Sequence, residues 1–273
     1  MKIGIIGTQN SHTTHFCMAL NEQKLYEGAY VAYVYGGDDP EQAKKLAEQY
    51  GVEICASEEE LIEKADAVAI TYRKGSAHFE PALKALKSKK PLFNDKPFAV
   101  SVEQCRQLTD LARENNLLLT GGSNLKGMPG LLAVKEQVKP GSTVTISFAA
   151  DCTSEYDGYW FYGVHSAEMC IALCGEDYTS VTSFKNGTSI VTVVTYADKQ
   201  CILCNGLDSY AIKIAVTNEG KTSYHQVALD YQAVGPLELA AMASSGQLPR
   251  PLSHYDKTVE LVSRIIESYT ANE

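Results

Sequence analysis

The chain has 273 residues, 45% hydrophobic and 21% charged, enough to bury a large core in one or two domains without disulfide help. Its formal charge of −9 argues against a nucleic-acid or membrane partner, and the apolar run Met1–Gly7 is too short for a signal peptide or a membrane span, so the expected location is the cytoplasm. Eight cysteines are scattered without histidines at zinc spacing, so no metal site is expected and the thiols are read as free and buried.

Lys2 to Ile6 reads as a buried parallel strand ended by Gly7. A helix carrying Phe16, Ala19 and Leu20 on one face follows, then a second strand from Tyr30 to Tyr35. The next helix starts at Pro40, repeats Ala43, Leu46, Ala47 and Tyr50 on one face and stops at Gly51. Ser57 with Glu60, and Ser101 with Gln104, form capping-box patterns ahead of further helices. Apolar strands are expected at Ala67 to Thr71, around Leu92, and at Leu117 to Thr120, with a helix from His78 to Lys89 between the first two. Strands alternating with helices of this length mean βαβ units and a parallel sheet.

The domain boundary is placed at Gly121-Gly122, giving domains 1–121 and 122–273. Beyond a helix from about Met128 to Val138, Val144, Ile146 and Phe148 alternate with polar residues, as in a sheet with one covered face. Ser189 to Tyr196, Gln200 to Asn205, Tyr210 to Thr217 and Lys221 to Leu229 read as successive antiparallel strands, with hairpin turns at Ala197-Asp198-Lys199 and Asn218-Glu219-Gly220. One helix, Val164 to Leu173, precedes them, and helices near Pro236 to Ser245 and Ser253 to Tyr269 close the chain. In this reading Cys170 and Cys174 lie on a helix, while Cys201 and Cys204 point to opposite faces of a strand.

Three places carry chemistry. Gly7-Thr8-Gln9-Asn10-Ser11-His12 stands where a dinucleotide fingerprint belongs, but only the first glycine of G-x-G-x-x-G is present. The helix start still offers amide donors to a phosphate, with Ser11 or His12 as side-chain contacts. Asp38, displaced by Gly36-Gly37, is the candidate acid for a ribose; a 2′-phosphate, or no dinucleotide, is equally open at this point. Leu92 to Phe98 ends a strand on Asp95-Lys96-Pro97, where Pro97 favours extended geometry at Lys96. A lysine at that end of a parallel strand faces the ligand crevice, where burial or nearby positive charge fits it for acid/base work. His165 opens a helix with Glu168 one turn on, beside the aromatic run Tyr156, Tyr159, Trp160 and Tyr162, suited to stacking on a sugar ring.

The combination of Asn94-Asp95-Lys96-Pro97-Phe98-Ala99 with Gly163-Val164-His165-Ser166-Ala167-Glu168, after Ile3 to Gly7, Pro40 to Gly51, and Asp66 to Thr71 with His78, resembles the glucose-fructose oxidoreductase / inositol 2-dehydrogenase / MocA (Gfo/Idh/MocA) family. The resemblance runs over nearly the whole chain, to the closing segment Pro249 to Tyr269. It implies an α/β fold: an N-terminal Rossmann domain with a parallel sheet, binding NAD or NADP, and a C-terminal α/β domain with an open, mostly antiparallel sheet used for dimerisation. It also implies a dehydrogenase or reductase acting on a hydroxyl or carbonyl of a sugar, polyol or related small molecule. The family's motif lysine falls on Lys96 and its motif histidine on His165, the expected catalytic residues.

Cofactor contacts are expected from Gly7, Thr8, Gln9, Asn10, Ser11, His12, Asp38, Thr71, Tyr72, His78 and Asp95. Substrate contacts are expected from Lys96, Lys126, Tyr156, Tyr159, Trp160, Tyr162, His165 and Glu168. If the cleft is catalytic, Lys96 and His165 should line one pocket. The sequence departs from the family pattern at the second and third fingerprint glycines, at Asp95 in place of glutamate, and at Phe161, where many members have an aspartate. An alternative reading is therefore a catalytically inactive ligand sensor or regulatory binding protein; a third is a lyase or glycosidase with resident NAD.

Overall fold

The computed structural model describes residues 1–207 and 210–271. Two compact units emerge: Met1–Asn124 with Tyr231–Tyr255, and Leu125–Asp230 with the segment from Asp256 onward. The sequence division kept 122–273 together; in the structure Tyr231–Tyr255 packs with the first unit.

The first unit alternates β1 (Lys2–Ile6), α1 (Ser11–Cys17), β2 (Tyr30–Tyr35), α2 (Pro40–Tyr50), β3 (Glu53–Ile54), α3 (Glu58–Lys64), β4 (Ala67–Ile70), α4 (Phe79–Lys87), β5 (Leu92–Asn94), α5 (Val102–Asn115) and β6 (Leu119–Gly121). The strands are parallel, in the order β3-β2-β1-β4-β5-β6. That order is the doubly wound Rossmann arrangement, whose ligand crevice opens at the carboxyl ends of the strands where the order reverses, between β1 and β4.

Local chemistry sets the helix ends. The Asp39 carboxylate accepts from Gln42 N at 2.9 Å, Pro40 takes the first helical position, and Gly51 closes α2 in the left-handed region at φ 70°, as cap preferences require. Ser57 Oγ accepts from Glu60 N at 3.1 Å, and the Glu60 carboxylate reaches back to Ala56 N at 2.7 Å. Ser101 caps α5 in the same way, accepting from Gln104 N at 3.1 Å. α4 is rotated from its expected face: Ala85 is buried with Ala82 and Leu86, while Phe79 and Leu83 are half-buried.

The second unit contains α6 (Pro129–Lys135), β7 (Thr143–Ala149), α7 (Trp160–Cys174), β8 (Tyr178–Asn186), β9 (Ser189–Tyr196), β10 (Gln200–Gly206), β11 (Ile212–Asn218) and β12 (Lys221–Val227). Its sheet runs β12-β11-β7-β10-β9-β8. Two features correct the sequence reading. β8 is a strand beyond those expected, and β10 pairs with β7 in parallel rather than antiparallel. Val144, Ile146 and Phe148 lie on the covered face, as do Ile190, Val194, Cys201 and Leu203.

α8 (Val234–Ser245) and α9 (Ser253–Ala271) complete the chain. Leu239, Ala240 and Met242 of α8 enter the first unit's core with Phe16, Phe93, Ile3, Ile5, Val31 and Val34. A helix that fills a core in this way is tied to it by the apolar area it removes from water, which is why this late segment returns to the early unit. At the start of α9, Tyr255 stacks on Phe98 with ring centroids 4.4 Å apart, and its hydroxyl meets Thr120 Oγ1 at 2.9 Å. All eight cysteines are free thiols. Cys170 Sγ lies 3.4 Å from the Tyr196 hydroxyl, and Cys170, Cys174 and Cys201 act on one another electrostatically. Among the described residues no helix is long and apolar enough to cross a membrane, and no cluster of histidine, cysteine or acidic side chains is arranged to hold a metal ion.

Candidate functional site

In the first unit the loop after β1 faces the ends of β2, β4 and β5. Gly7 has φ 96°, and a Cβ there would stand 2.6 Å from Tyr72 N, so the tight turn out of β1 admits only glycine. Thr8 N and Gln9 N donate to the two Asp38 carboxylate oxygens at 2.8 and 3.2 Å. Asp38 is thus fixed at the mouth of the crevice and satisfies two amides of the fingerprint loop. Thr71, fully buried, is structural: its hydroxyl meets Thr13 Oγ1 at 2.9 Å and donates to Gly7 O at 2.9 Å. His78 is also buried, with Nε2 at 2.7 Å from Tyr72 O and Nδ1 at 2.9 Å from Pro97 O. It ties the segment after β4 to the segment after β5, and burial lowers its pKa.

β5 delivers Asn94, Asp95 and Lys96 into the interior at 0, 0 and 4% exposure. The Lys96–Pro97 peptide is cis. Burial pulls the Lys96 ammonium down to about 8; Asp95 opposes the shift and Arg73 adds to it. Lys96 therefore exchanges its proton near neutrality, the property required of a general acid or base. For Asp95, burial works against ionisation, but His12, Lys96 and His78 more than offset it and hold the carboxyl below the usual range. Asp95 Oδ2 accepts from Asn10 Nδ2 at 3.2 Å and faces His12 Nδ1 at 2.7 Å. Asp95 Oδ1, equally buried, has no hydrogen-bond partner among the described residues.

A cleft of about 240 Å³ lies at the ends of β1, β2 and β4, lined by Gln9, Tyr35, Gly37, Asp38, Tyr72, Arg73, Lys74 and Ala77. Sequence reasoning misses Arg73 and Lys74, which carry no glycine or histidine signature. Their place just beyond β4 is the signal that could have found them.

In the second unit, α7 begins at Trp160, four residues before the expected start. Asn205 of β10 anchors it, with Nδ2 donating to Ser166 Oγ at 2.8 Å and to Phe148 O at 2.9 Å. Tyr159 is 1% exposed and its hydroxyl donates to Asn205 Oδ1 at 2.8 Å, so this ring is packed inside the unit rather than set apart for stacking. Tyr156, Trp160 and Tyr162 are half-buried. His165 is 7% exposed and stands edge-on to Phe148 at 5.8 Å. Lys126 Nζ lies 3.9 Å from Glu168 Oε1, both side chains almost wholly buried, so each charge offsets part of the other's desolvation.

Two features bear on whether a dinucleotide fits the first unit. Gly7, held to glycine by the approach of Tyr72, turns the chain tightly at the carboxyl end of β1 where the fingerprint loop begins, and Asp95 Oδ1 is a buried acceptor without a hydrogen-bond donor among the described residues, a donor that a ribose hydroxyl or carboxamide would supply. On both counts the residues present suit a dinucleotide.

Residues 1–123 match the model of an oxidoreductase family with an NAD-binding Rossmann fold, GFO_IDH_MocA. An uncharacterised oxidoreductase of Streptococcus pneumoniae is 30% identical over 52% of this chain and 37% of its own length. An inositol 2-dehydrogenase of Azotobacter vinelandii is 35% identical over 40% of this chain and 32% of its own. The matched stretch thus spans about a third of either curated relative. The solved structure of a putative myo-inositol dehydrogenase from Sinorhizobium meliloti superposes with a TM-score of 0.83 at 17% identity, covering 100% of this chain and 98% of that one, a likeness of fold. Through its first 123 residues the chain is thus similar to the Gfo/Idh/MocA oxidoreductases and their NAD-binding Rossmann fold.

Proposed function

We propose that the protein is an NAD(P)-dependent oxidoreductase acting on a hydroxyl or carbonyl carbon of a sugar, polyol or related small molecule. The observation that carries this reading is Lys96, buried at the end of β5 with its proton affinity lowered to about 8. When bound, the dinucleotide supplies or accepts the hydride. Asp38 and Asp95 would accept from its hydroxyl or amide donors, and Arg73 and Lys74, lining the cleft beyond β4, would counter its phosphates. Lys96 takes the hydroxyl proton during oxidation and returns it to the carbonyl oxygen during reduction. Fluorescence titration with NADH and NADPH, followed by turnover assays on a panel of inositols and sugars, tests the reading. No binding of either nucleotide at millimolar concentration would remove it.

The finer proposal is NAD over NADP. Asp38 is held by Thr8 N and Gln9 N, so its carboxylate cannot swing away from a 2′-phosphate without leaving two amides unpaired. Like charges brought together cost several kcal/mol. NADH should bind on the order of tenfold or more tighter than NADPH, and Asp38→Asn should narrow the gap. Equal affinities in the wild type overturn this preference.

We also propose a homodimer through the open face of the second unit's sheet. One row across it, in register, reads Thr182, Val193, Ile202, Thr145, Ala215 and Tyr224. It carries no charge, and Phe184, Val191 and Tyr224 on the same face are 59, 41 and 82% exposed. An apolar sheet face of this extent is ordinarily covered. Light scattering at micromolar concentration should give a dimer for the wild type and a monomer for Ile202→Glu. A monomeric wild type sinks the idea.

A further inference from the structure

His12 stands where the dinucleotide fingerprint has its third glycine. Glycine there allows close packing of helix on strand; here the side chain leaves α1 and crosses to the residue beside Lys96. We propose that His12 is a positioning residue: its imidazole, with the Asn10 amide, holds the Asp95 carboxylate on the fingerprint loop and keeps it from closing onto the Lys96 ammonium. This rests on the assignment of proton transfer to Lys96 and names the device that tunes it.

The geometry is specific. His12 Nδ1 at 2.7 Å and Asn10 Nδ2 at 3.2 Å converge on the same carboxylate oxygen of Asp95, Oδ2. The acid is fully buried and His12 is 6% exposed, so neither group has bulk water as an alternative partner, and a buried carboxylate stripped of its donors incurs a large desolvation penalty. Other charged or titratable groups acting on this pair include Arg73 on Lys96, and His78, His15 and Tyr231 around Asp95. Tyr231 also packs on the His12 ring at 5.8 Å and on His15 at 5.6 Å, so the imidazole is packed against a second ring as well as bound to Asp95.

The consequence follows from two opposing effects on Lys96. Burial disfavours its charged form and Asp95 favours it. With His12 in place the carboxylate's strongest bond goes to the imidazole, and burial wins. Without His12 the strongest charged partner left to Asp95 is Lys96, and a direct pair raises the ammonium's proton affinity. The lysine would then stay protonated at neutral pH and cease to accept a substrate proton.

The test reads Lys96 directly, without turnover. In protein labelled with [13Cε]lysine, the Lys96 resonance is assigned by its loss in Lys96→Arg and titrated by NMR. His12→Ala should move the Lys96 midpoint up by about one unit or more, and Asp95→Asn should move it down. His12→Asn, whose amide nitrogen takes the place of Nδ1, should restore it to within a few tenths. An unchanged or lowered midpoint in a folded His12→Ala overturns the proposal. If that variant does not fold, 15N spectra of the wild-type imidazole decide: Nδ1 must remain protonated across the range in which Lys96 titrates, and an Nε2–H tautomer overturns the proposal. Shifts in the stated directions without hydride transfer on any substrate would leave this inference standing and remove the functional reading instead.

Discussion

Lys96→Met should abolish turnover and stabilise the fold at neutral pH. Loss of a general acid/base costs about 10²- to 10⁴-fold in rate, and methionine leaves no residual proton carrier at that position. The stability gain comes from the same burial. In the unfolded chain the lysine holds its proton up to its ordinary 10.5, whereas in the folded protein it loses it near 8. Below pH 8 the folded state therefore carries a buried ammonium that it disfavours, at about 3 kcal/mol for a displacement of this size. Between pH 8 and 10.5 the unfolded state binds more protons, so wild-type stability rises with pH; above 10.5 both states are neutral and the penalty vanishes. Urea titrations should show Lys96→Met more stable by roughly that amount at pH 7, with the gap closing as pH rises through the window. A variant less stable than wild type at pH 7 would mean that the ammonium is held by partners strong enough to outweigh its burial.

Lys96 was legible in the sequence because a short apolar strand that stops on a charged residue and a proline delivers that residue to the carboxyl edge of a parallel sheet, where ligands bind. Most of the Rossmann half was legible for a related reason: β1, β4, β5 and β6 are almost wholly buried and its helices carry their own caps, at Asp39, Ser57 and Ser101, whereas the two-residue edge strand β3, exposed at both positions, was not expected. The second sheet was only partly so. β8 has Tyr178 and Ser183 buried but Phe184 turned outward, so this edge strand lacks the alternation that marks a half-buried one. The parallel pairing of β10 with β7 depends on which strands meet, and side-chain periodicity carries no partner information. α8 reads as an ordinary amphipathic or buried helix, and nothing in its composition says which core it fills. At the site, Asp38 and His12 were visible as departures from a glycine pattern, yet their partners lie about thirty and eighty residues away and are found only after folding.

Gly121→Ala should prevent folding or cost more than about 4 kcal/mol, the range reserved for a defect the structure cannot relax. Gly121 ends β6 at φ 147°, opposite Asn94 of β5 in the parallel register. A Cβ built on it would overlap Asn94 O outright and lie 2.6 Å from Asn94 C and 2.8 Å from Asn94 N. These are backbone atoms of β5, which is held between β4 and β6, and Asn94 O also accepts from Gly122 N at 2.8 Å, so relieving the overlap means parting the carboxyl end of β6 from β5 and losing that bond. Gly51→Ala is the matched control. Its φ of 70° is also left-handed, but nothing lies within 4 Å of the added carbon, so only the backbone penalty of about 1–2 kcal/mol remains. Soluble expression and urea midpoints of the two variants separate steric exclusion from conformational strain. Asn94 immediately precedes Asp95 and Lys96, so any Gly121→Ala protein that does fold should bind NADH more weakly and titrate Lys96 at a changed pH. A soluble Gly121→Ala protein with the midpoint of Gly51→Ala would mean that β5 and β6 stand further apart than this overlap requires, and the close approach would have to be abandoned.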